Sequence, residues 1–436
     1  MEKRTLSVGL MLFALFFGAG NLIFPPALGQ AAGDMVWHSM IGFFITGVGL
    51  PLLGVIALAR AGGGLQTLTE RVNPLFGSVF AIILYLAIGP FFGIPRTGTV
   101  AFEMAALPFL PEGISTGLPL FLFTVVFFVI TYWLALNPSK LVDRIGNILT
   151  PLLLLIIGSV LVKALITPVG KIGQPSPEYG SSPLLKGFMD GYLTMDTLGA
   201  LAFGIVVITA VNKPGMKKEQ VTSMVVKAGV IAAVCLAGVY GILAYLGATS
   251  QGLGKSENGG QILTNVVSQL FGGPGSLLLG LAVALACLTT SVGLVTATGE
   301  FAHKMFPKLP YKIVILVLSI FSAGVANVGL SQLITVSVPV LTAIYPIAIV
   351  LIILSFFHDT FSGSQEVYLG SIIATALVSI ADGLKAFGLK FGTIEQIYSH
   401  IPLYADGIGW LIPAIIGAVV GFIIALIRGR IVIFST

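Results

Sequence analysis

A string of apolar runs, each close to twenty residues long, recurs from one end of this chain to the other. A helix rises ~1.5 Å per residue, so ~20 apolar residues match the ~30 Å hydrocarbon core of a bilayer. Such runs fall at about 7–29, 35–60, 75–102, 117–136, 145–167, 188–211, 225–248, 276–300, 312–327, 330–357, 367–387 and 408–427. They predict an all-α polytopic membrane protein: twelve spanning helices in a single transmembrane domain over 1–436, with Gly329 dividing the ninth from the tenth. Composition agrees. Of 436 residues, 56% are hydrophobic and 9% charged, whereas a soluble chain carries about 25% charge. The remaining polar side chains are too few to cover a surface in water, so the lipid bilayer is the expected solvent.

The net charge of +5 sits in short connections between apolar runs. That distribution is a topology signal and not a nucleic-acid footprint, so no nucleic-acid partner is expected. With the N-terminus cytoplasmic, Lys163, Lys171, Lys186, Lys255, Lys385 and Lys390 fall outside. Arg96 lies within a span, and every other Lys and Arg falls inside. The positive-inside rule therefore predicts both termini in the cytoplasm. The polar insertions 167–186, 250–273 and 388–407 then lie outside, the middle one suited to a short cap over an entrance. The start of the chain runs straight into the first apolar stretch, which reads as a retained helix and not a cleaved signal peptide. Cys235 and Cys287 lie inside apolar runs and are expected to be free thiols.

Helix breakers inside a span matter because lipid cannot satisfy an open backbone group, so broken helices survive only where they are buried or line a cavity. The first span carries Gly18-Ala19-Gly20-Asn21 and then Pro25-Pro26. Unwinding there would aim the N–H groups of a half-helix at the gap, an anion site suited to a carboxylate; a tight crossing through small residues is the other reading. The sixth span carries Thr194-Met195-Asp196-Thr197-Leu198-Gly199. An acid at the bilayer centre costs at least ~2.5 kcal/mol, so Asp196 needs a partner or a function: sodium, a substrate ammonium, a proton, or an ion pair with Arg96. The two breaks are five spans apart. Interrupted spans at matching positions of two inverted halves point to a transporter site.

In span eight, Thr289, Thr290 and Ser291 offer hydroxyls for a small hard cation, or for bonds back to carbonyls one turn earlier. In span three, Gly89-Pro90, Gly93 and Pro95 surround Arg96, which shares a helical face with Glu103. Arg96 is a candidate to bind a substrate carboxylate, but the expectation is a structural ion pair, with Glu103 on its own face or with an internal acid such as Asp196 or Glu300. Pro339 and Pro346 are expected to bend span ten. His38, His303, His358 and His400 are too scattered for a metal site, and no Gly-rich loop ending in Gly-Lys-Ser/Thr suggests use of ATP. No enzyme and no cofactor is expected. An ion channel is the rival class, but neither a filter nor a ring of charge is evident.

Three strings carry a resemblance: Phe16-Phe17-Gly18-Ala19-Gly20-Asn21-Leu22-Ile23-Phe24-Pro25-Pro26, Ile88-Gly89-Pro90-Phe91-Phe92-Gly93-Ile94-Pro95-Arg96-Thr97 and Gly191-Tyr192-Leu193-Thr194-Met195-Asp196-Thr197-Leu198. With them the chain resembles, over essentially its whole length, the bacterial branched-chain amino acid:cation symporters of the amino acid–polyamine–organocation superfamily. That resemblance implies the leucine-transporter type of fold, with inverted repeats over 1–167 (spans one to five) and 187–357 (spans six to ten) and two further spans over 366–428. It implies import of leucine, isoleucine or valine across the bacterial cell membrane, coupled to Na+; Asp196 leaves H+ coupling as the rival, and no obligatory protein partner is evident. It places one sodium between carbonyls near Ala14 and Phe17 and the span-eight segment Cys287, Thr289, Thr290 and Ser291. Asn21 matches a residue that binds a second sodium in some members; Asp196 has no counterpart in the better-known sodium relatives. The substrate carboxylate is expected at Gly18, Ala19, Gly20 and Asn21, its ammonium near Thr194, Asp196 and Thr197, and its side chain among Phe91, Phe92 and Phe203.

Overall fold

The computed structural model describes residues 2–111, 113–137, 141–212, 216–389, 392 and 398–430. Lys140, Lys213 and Lys390, used above for orientation, lie outside these residues. Among the described residues every regular element is a helix. Each predicted span coincides with one helix or with a broken pair. Span one is α1 (Glu2–Phe16) and α2 (Ala19–Ala32); span two is α3 (Val36–Phe44) and α4 (Leu50–Ala61) about a π turn. After the short α5 (Leu65–Thr69), span three is α6 (Pro74–Leu86) and α7 (Gly93–Ala105). Spans four and five are α8 (Gly117–Ala135) and α9 (Leu141–Ile166), followed by the short α10 (Pro177–Ser181). Span six is α11 (Pro183–Tyr192) and α12 (Asp196–Val211), span seven α13 (Lys218–Thr249). The remaining spans are α14 (Gly259–Met305), α15 (Tyr311–Ala326), α16 (Leu330–Phe356), α17 (Gln365–Ala386) and α18 (Leu411–Ile427).

Among the described residues, seven stretches are long and apolar enough to cross a membrane. The difference from twelve has local causes: breaks leave half-helices, α15 and α18 are one or two turns short of a full span, and span five contributes only the shorter apolar stretch Leu154–Ile166 among the described residues. Pro339 and Pro346 both lie inside α16. The insertion expected over 250–273 is helical from Gly259 onward. Gly272, at φ +66°, separates this first part of α14 from the spanning part. Cys235 and Cys287 are free thiols.

The helices gather into two compact units, each of three chain segments: Met1–Val48, Tyr85–Met195 and Lys227–Thr335 in the first, Gly49–Leu84, Asp196–Val226 and Val336–Thr436 in the second. The first is built around α14, which packs on α7, α2, α9, α8 and α15. Beside it α11 lies on α3, where the Thr46 hydroxyl donates to the Phe188 carbonyl at 2.8 Å. In the second unit α12 packs on α4, and α17 on α18. There Ser371 donates to the Ala414 carbonyl at 2.8 Å, and Glu366 accepts from Arg428 at 3.1 Å and lies 2.9 Å from Arg430. Large apolar side chains such as Trp133, Leu155 and Ile427 remain exposed, as expected of faces turned to lipid.

Candidate functional site

Within the first unit, the helix of span one stops at Phe16 and restarts at Ala19, with Gly18 in an extended conformation. The Gly18 N–H donates to the Asn21 Oδ1 at 2.9 Å, so the asparagine closes the first turn of α2. The other end of that carboxamide, Nδ2, donates to the Tyr240 hydroxyl on α13. Tyr240 in turn sets its ring edge-on to Phe43, 5.4 Å between centroids. The first N–H groups of α2, at Ala19, Gly20 and Asn21, stand at the break with the positive end of the helix dipole behind them.

Two other segments press on this break. A Cβ on Gly18 would lie 2.9 Å from the Thr290 Cγ2 and 3.2 Å from its Oγ1, so a glycine is what allows α14 to bring a hydroxyl against the opening. Thr289 and Thr290 each also donate back to the Ala286 carbonyl, at 2.8 and 3.1 Å. Ser291 turns the other way and accepts from Thr131 of α8 at 3.3 Å. Cys287 is fully buried, three residues before Thr290, while Ala14 and Phe17 sit on the last turn before the break.

The second segment is the break of span six. α11 ends at Tyr192, and Met195 takes a left-handed φ of +64°. That conformation costs a residue other than glycine about 1–2 kcal/mol, and such strain concentrates at functional segments. The breaks of spans one and six meet: a Cβ on Gly20 would lie 3.1 Å from the Thr194 carbonyl oxygen and 3.4 Å from Nη1 of Arg96. Arg96, only 2% exposed, donates to the Leu193 carbonyl at 2.6 Å and stands over the Phe24 ring at 5.1 Å. A charged donor at that distance makes a strong bond and ties α7 to the unwound carbonyls.

The expected ion pair between Arg96 and Glu103 does not form. Seven residues along a helix separate their attachment points by ~10 Å. Arg96 reaches to Leu193 instead, and Glu103 lies beside Asn258 and Gln261 at the start of α14. Phe92 is buried, but Phe91 is 42% exposed and packs edge-on against Phe321 of α15, so it does not join an enclosed pocket. In the second unit α12 begins with Asp196, and Asp196, Thr197 and Phe203 are all buried.

Sequence reasoning missed a cavity of about 780 Å³ in the first unit. Its apolar wall comes from Phe24 and Leu28 of α2 and reaches Leu193 at the break of span six. Its polar wall holds Asp190, which accepts from Lys186 at 2.7 Å and from the Tyr179 hydroxyl. Gln251 ties its rim, donating to the Gln30 carbonyl at 2.7 Å and accepting from the Gly173 N–H at 2.7 Å. Leu193 and Phe24 are also the groups that hold Arg96, so the cavity ends beside the two breaks. The sequence signal was slight: Tyr179 and Lys186 read only as part of a polar insertion, and Asp190 as the start of span six.

A cavity that ends at paired helix breaks suits carriage of a small zwitterion. Comparison with known proteins agrees: the family described as Branched-chain amino acid transport protein matches residues 1–428. The chain belongs to that family. The transporter is 50% identical to the branched-chain amino acid permease BraB of Bacillus subtilis, over 98% of this chain and 96% of that one. It is likewise 50% identical to the branched-chain amino acid transport system 2 carrier protein of Pseudomonas aeruginosa, over 98% and 97%. Among solved structures it resembles Mhp1, a nucleobase-cation-symport-1 family transporter in a closed conformation, with a TM-score of 0.63 at 12% identity, covering 99% of this chain and 94% of that one. That likeness shows the fold: the transporter has the leucine-transporter type of architecture and is an integral membrane protein.

Proposed function

We propose that this transporter imports L-leucine, L-isoleucine and L-valine by Na+-coupled symport, through alternating access to a site at the breaks of spans one and six. The reading rests foremost on Thr290, whose hydroxyl lies against the carbonyl-rich end of α1 at Gly18. Hydroxyl and carbonyl oxygens are the donors a small hard cation selects. The N–H groups of Ala19, Gly20 and Asn21 supply the substrate carboxylate with donors, and the unwound segment at Thr194 offers carbonyls for its ammonium. Buried Phe92 completes the site proposed within the first unit. One methylene changes binding by only ~1–3 kcal/mol, so weak discrimination among the three substrates follows. The repeats proposed are 1–167 and 187–357, with 366–428 outside them, and both termini are assigned to the cytoplasm of the bacterial cell.

One observation favours a different coupling. The Asn21 carboxamide is engaged with Gly18 and Tyr240, which weakens it as a ligand for a second sodium, while Asp196 is a buried acid at the first turn of α12. A proton carried by Asp196 is therefore the rival. Uptake of labelled leucine into proteoliposomes under an imposed sodium or proton gradient separates them. Sodium-driven accumulation supports the proposal. Accumulation driven by protons alone, and lost in Asp196→Asn, moves coupling to the acid. No uptake of any branched-chain substrate under either gradient refutes the function proposed.

A further inference from the structure

The second unit has a polar cavity of its own, of about 800 Å³, which transport chemistry leaves without a role. Three fixed cations from three elements line it: Arg60 at the end of α4, Arg71 between α5 and α6, and Lys218 at the start of α13. Among the described residues none of them makes an ion pair within 4 Å. Two carboxylates, Glu219 and Asp359, also border it. With a neutral imidazole at His358 the lining carries one net positive charge. Two of the cations are held in place: Arg71 donates to the Tyr368 hydroxyl at 3.3 Å, and Arg60 stands over the Phe356 ring at 5.3 Å. Thr222, Ser223 and Ser355 add hydroxyls.

Exposed apolar side chains follow or flank cavity residues along the chain. These are Ile353 on α16 and Phe357 just after its end, on the face turned away from the buried cavity residue Ser355. On α6 they are Leu75 and Val79, just after Arg71. A net-positive, hydroxyl-bearing pocket on elements that also expose apolar side chains matches a molecule with acyl chains and a singly charged phosphate diester.

We propose that this cavity seats the headgroup of an anionic phospholipid, its phosphate diester between Arg60, Arg71 and Lys218 and its polar hydroxyls toward Glu219 and Asp359. A net charge of one favours a diester over free phosphate, and the exposed apolar side chains on α6 and α16 favour a lipid over a soluble ester. Basic pockets at the cytoplasmic ends of spans bind such headgroups.

The test is native mass spectrometry of the full-length protein in detergent, titrated with phosphatidylglycerol or with phosphatidylcholine of the same chains. One phosphatidylglycerol is expected to be retained in preference to phosphatidylcholine. Retention should weaken roughly fivefold for each cation replaced in Arg60→Gln, Arg71→Gln and Lys218→Gln. Lys304→Gln with Lys308→Gln, remote along the chain, should leave it unchanged. Should a variant fail to fold, the wild-type protein still decides through competition with inorganic phosphate. Phosphatidylglycerol retained in the presence of phosphate supports the assignment. Displacement by phosphate at comparable concentration makes the cavity a soluble-anion site and overturns it. Equal retention of the two lipids, or full retention by the triple variant, overturns it as well.

Discussion

Thr290 and Ser291 are adjacent in sequence and have opposite surroundings: the first lies against the Gly18 break, the second accepts from Thr131. If the cation sits at the break, Thr290→Ala should raise the sodium concentration for half-maximal leucine uptake by about tenfold, the cost of one oxygen donor to a charge. Ser291→Ala should change it by less than about threefold on the same scale. Equal effects in a sodium titration would place the cation elsewhere. Met195 provides a separate test. Its left-handed φ is free for glycine and costly for alanine. Met195→Gly should therefore be more stable than Met195→Ala by about 1 kcal/mol, the reverse of the order at a helical position. Thermal melting of the two variants decides; alanine above glycine would mean that this segment is helical. Both breaks were legible from Gly18-Ala19-Gly20-Asn21 and from Asp196 inside an apolar run. Which of three consecutive hydroxyls meets the break was not, because that depends on the rotation of α14 about its axis.

At the scale of elements, α2 crosses α13 with backbone against backbone. A Cβ on Gly29 would collide with the Ala244 carbonyl, and one on Gly247 with the carbonyl of Pro26. Neither obstacle is a side chain that can turn aside. Gly29→Ala or Gly247→Ala should each cost about 1–3 kcal/mol. Gly238→Ala, on the same helix but with nothing within 4 Å, should be neutral or mildly stabilising through helix propensity. Melting temperatures in detergent check this, and three indistinguishable variants would show that the crossing is looser than described. The helices themselves were readable from twenty-residue apolar runs. The Arg96–Glu103 pair was not a sound expectation, because a shared helical face brings groups seven residues apart into line and not into contact. The Leu193 carbonyl that Arg96 binds belongs to a distant segment that no periodicity reveals.

For the whole molecule, His358 in the turn between α16 and α17 makes stability depend on pH. Burial, and then the nearby Arg71 cation, holds its imidazole below the ordinary value, with Lys218 adding to the shift and Asp359 opposing it. The unfolded chain therefore takes up the proton first, near pH 6.5. The stability contributed by neutral His358 is complete above that pH and is lost as pH falls toward the depressed folded value. His358→Gln should flatten the fall in melting temperature below about pH 6.5; parallel curves for the two proteins would remove His358 as its source. By itself, the sequence determined the solvent, the helical class, the order of the apolar helices and the place of both breaks. Each follows from apolar run length or from a residue that cannot continue a helix in lipid. Tertiary structure alone decided that the two breaks touch, that Arg96 holds the Leu193 carbonyl, and that a cavity reaches them from Asp190 and Gln251. Those relations join residues up to about 220 positions apart, and such pairings depend on how helices rotate and cross, which side-chain order along one chain does not encode.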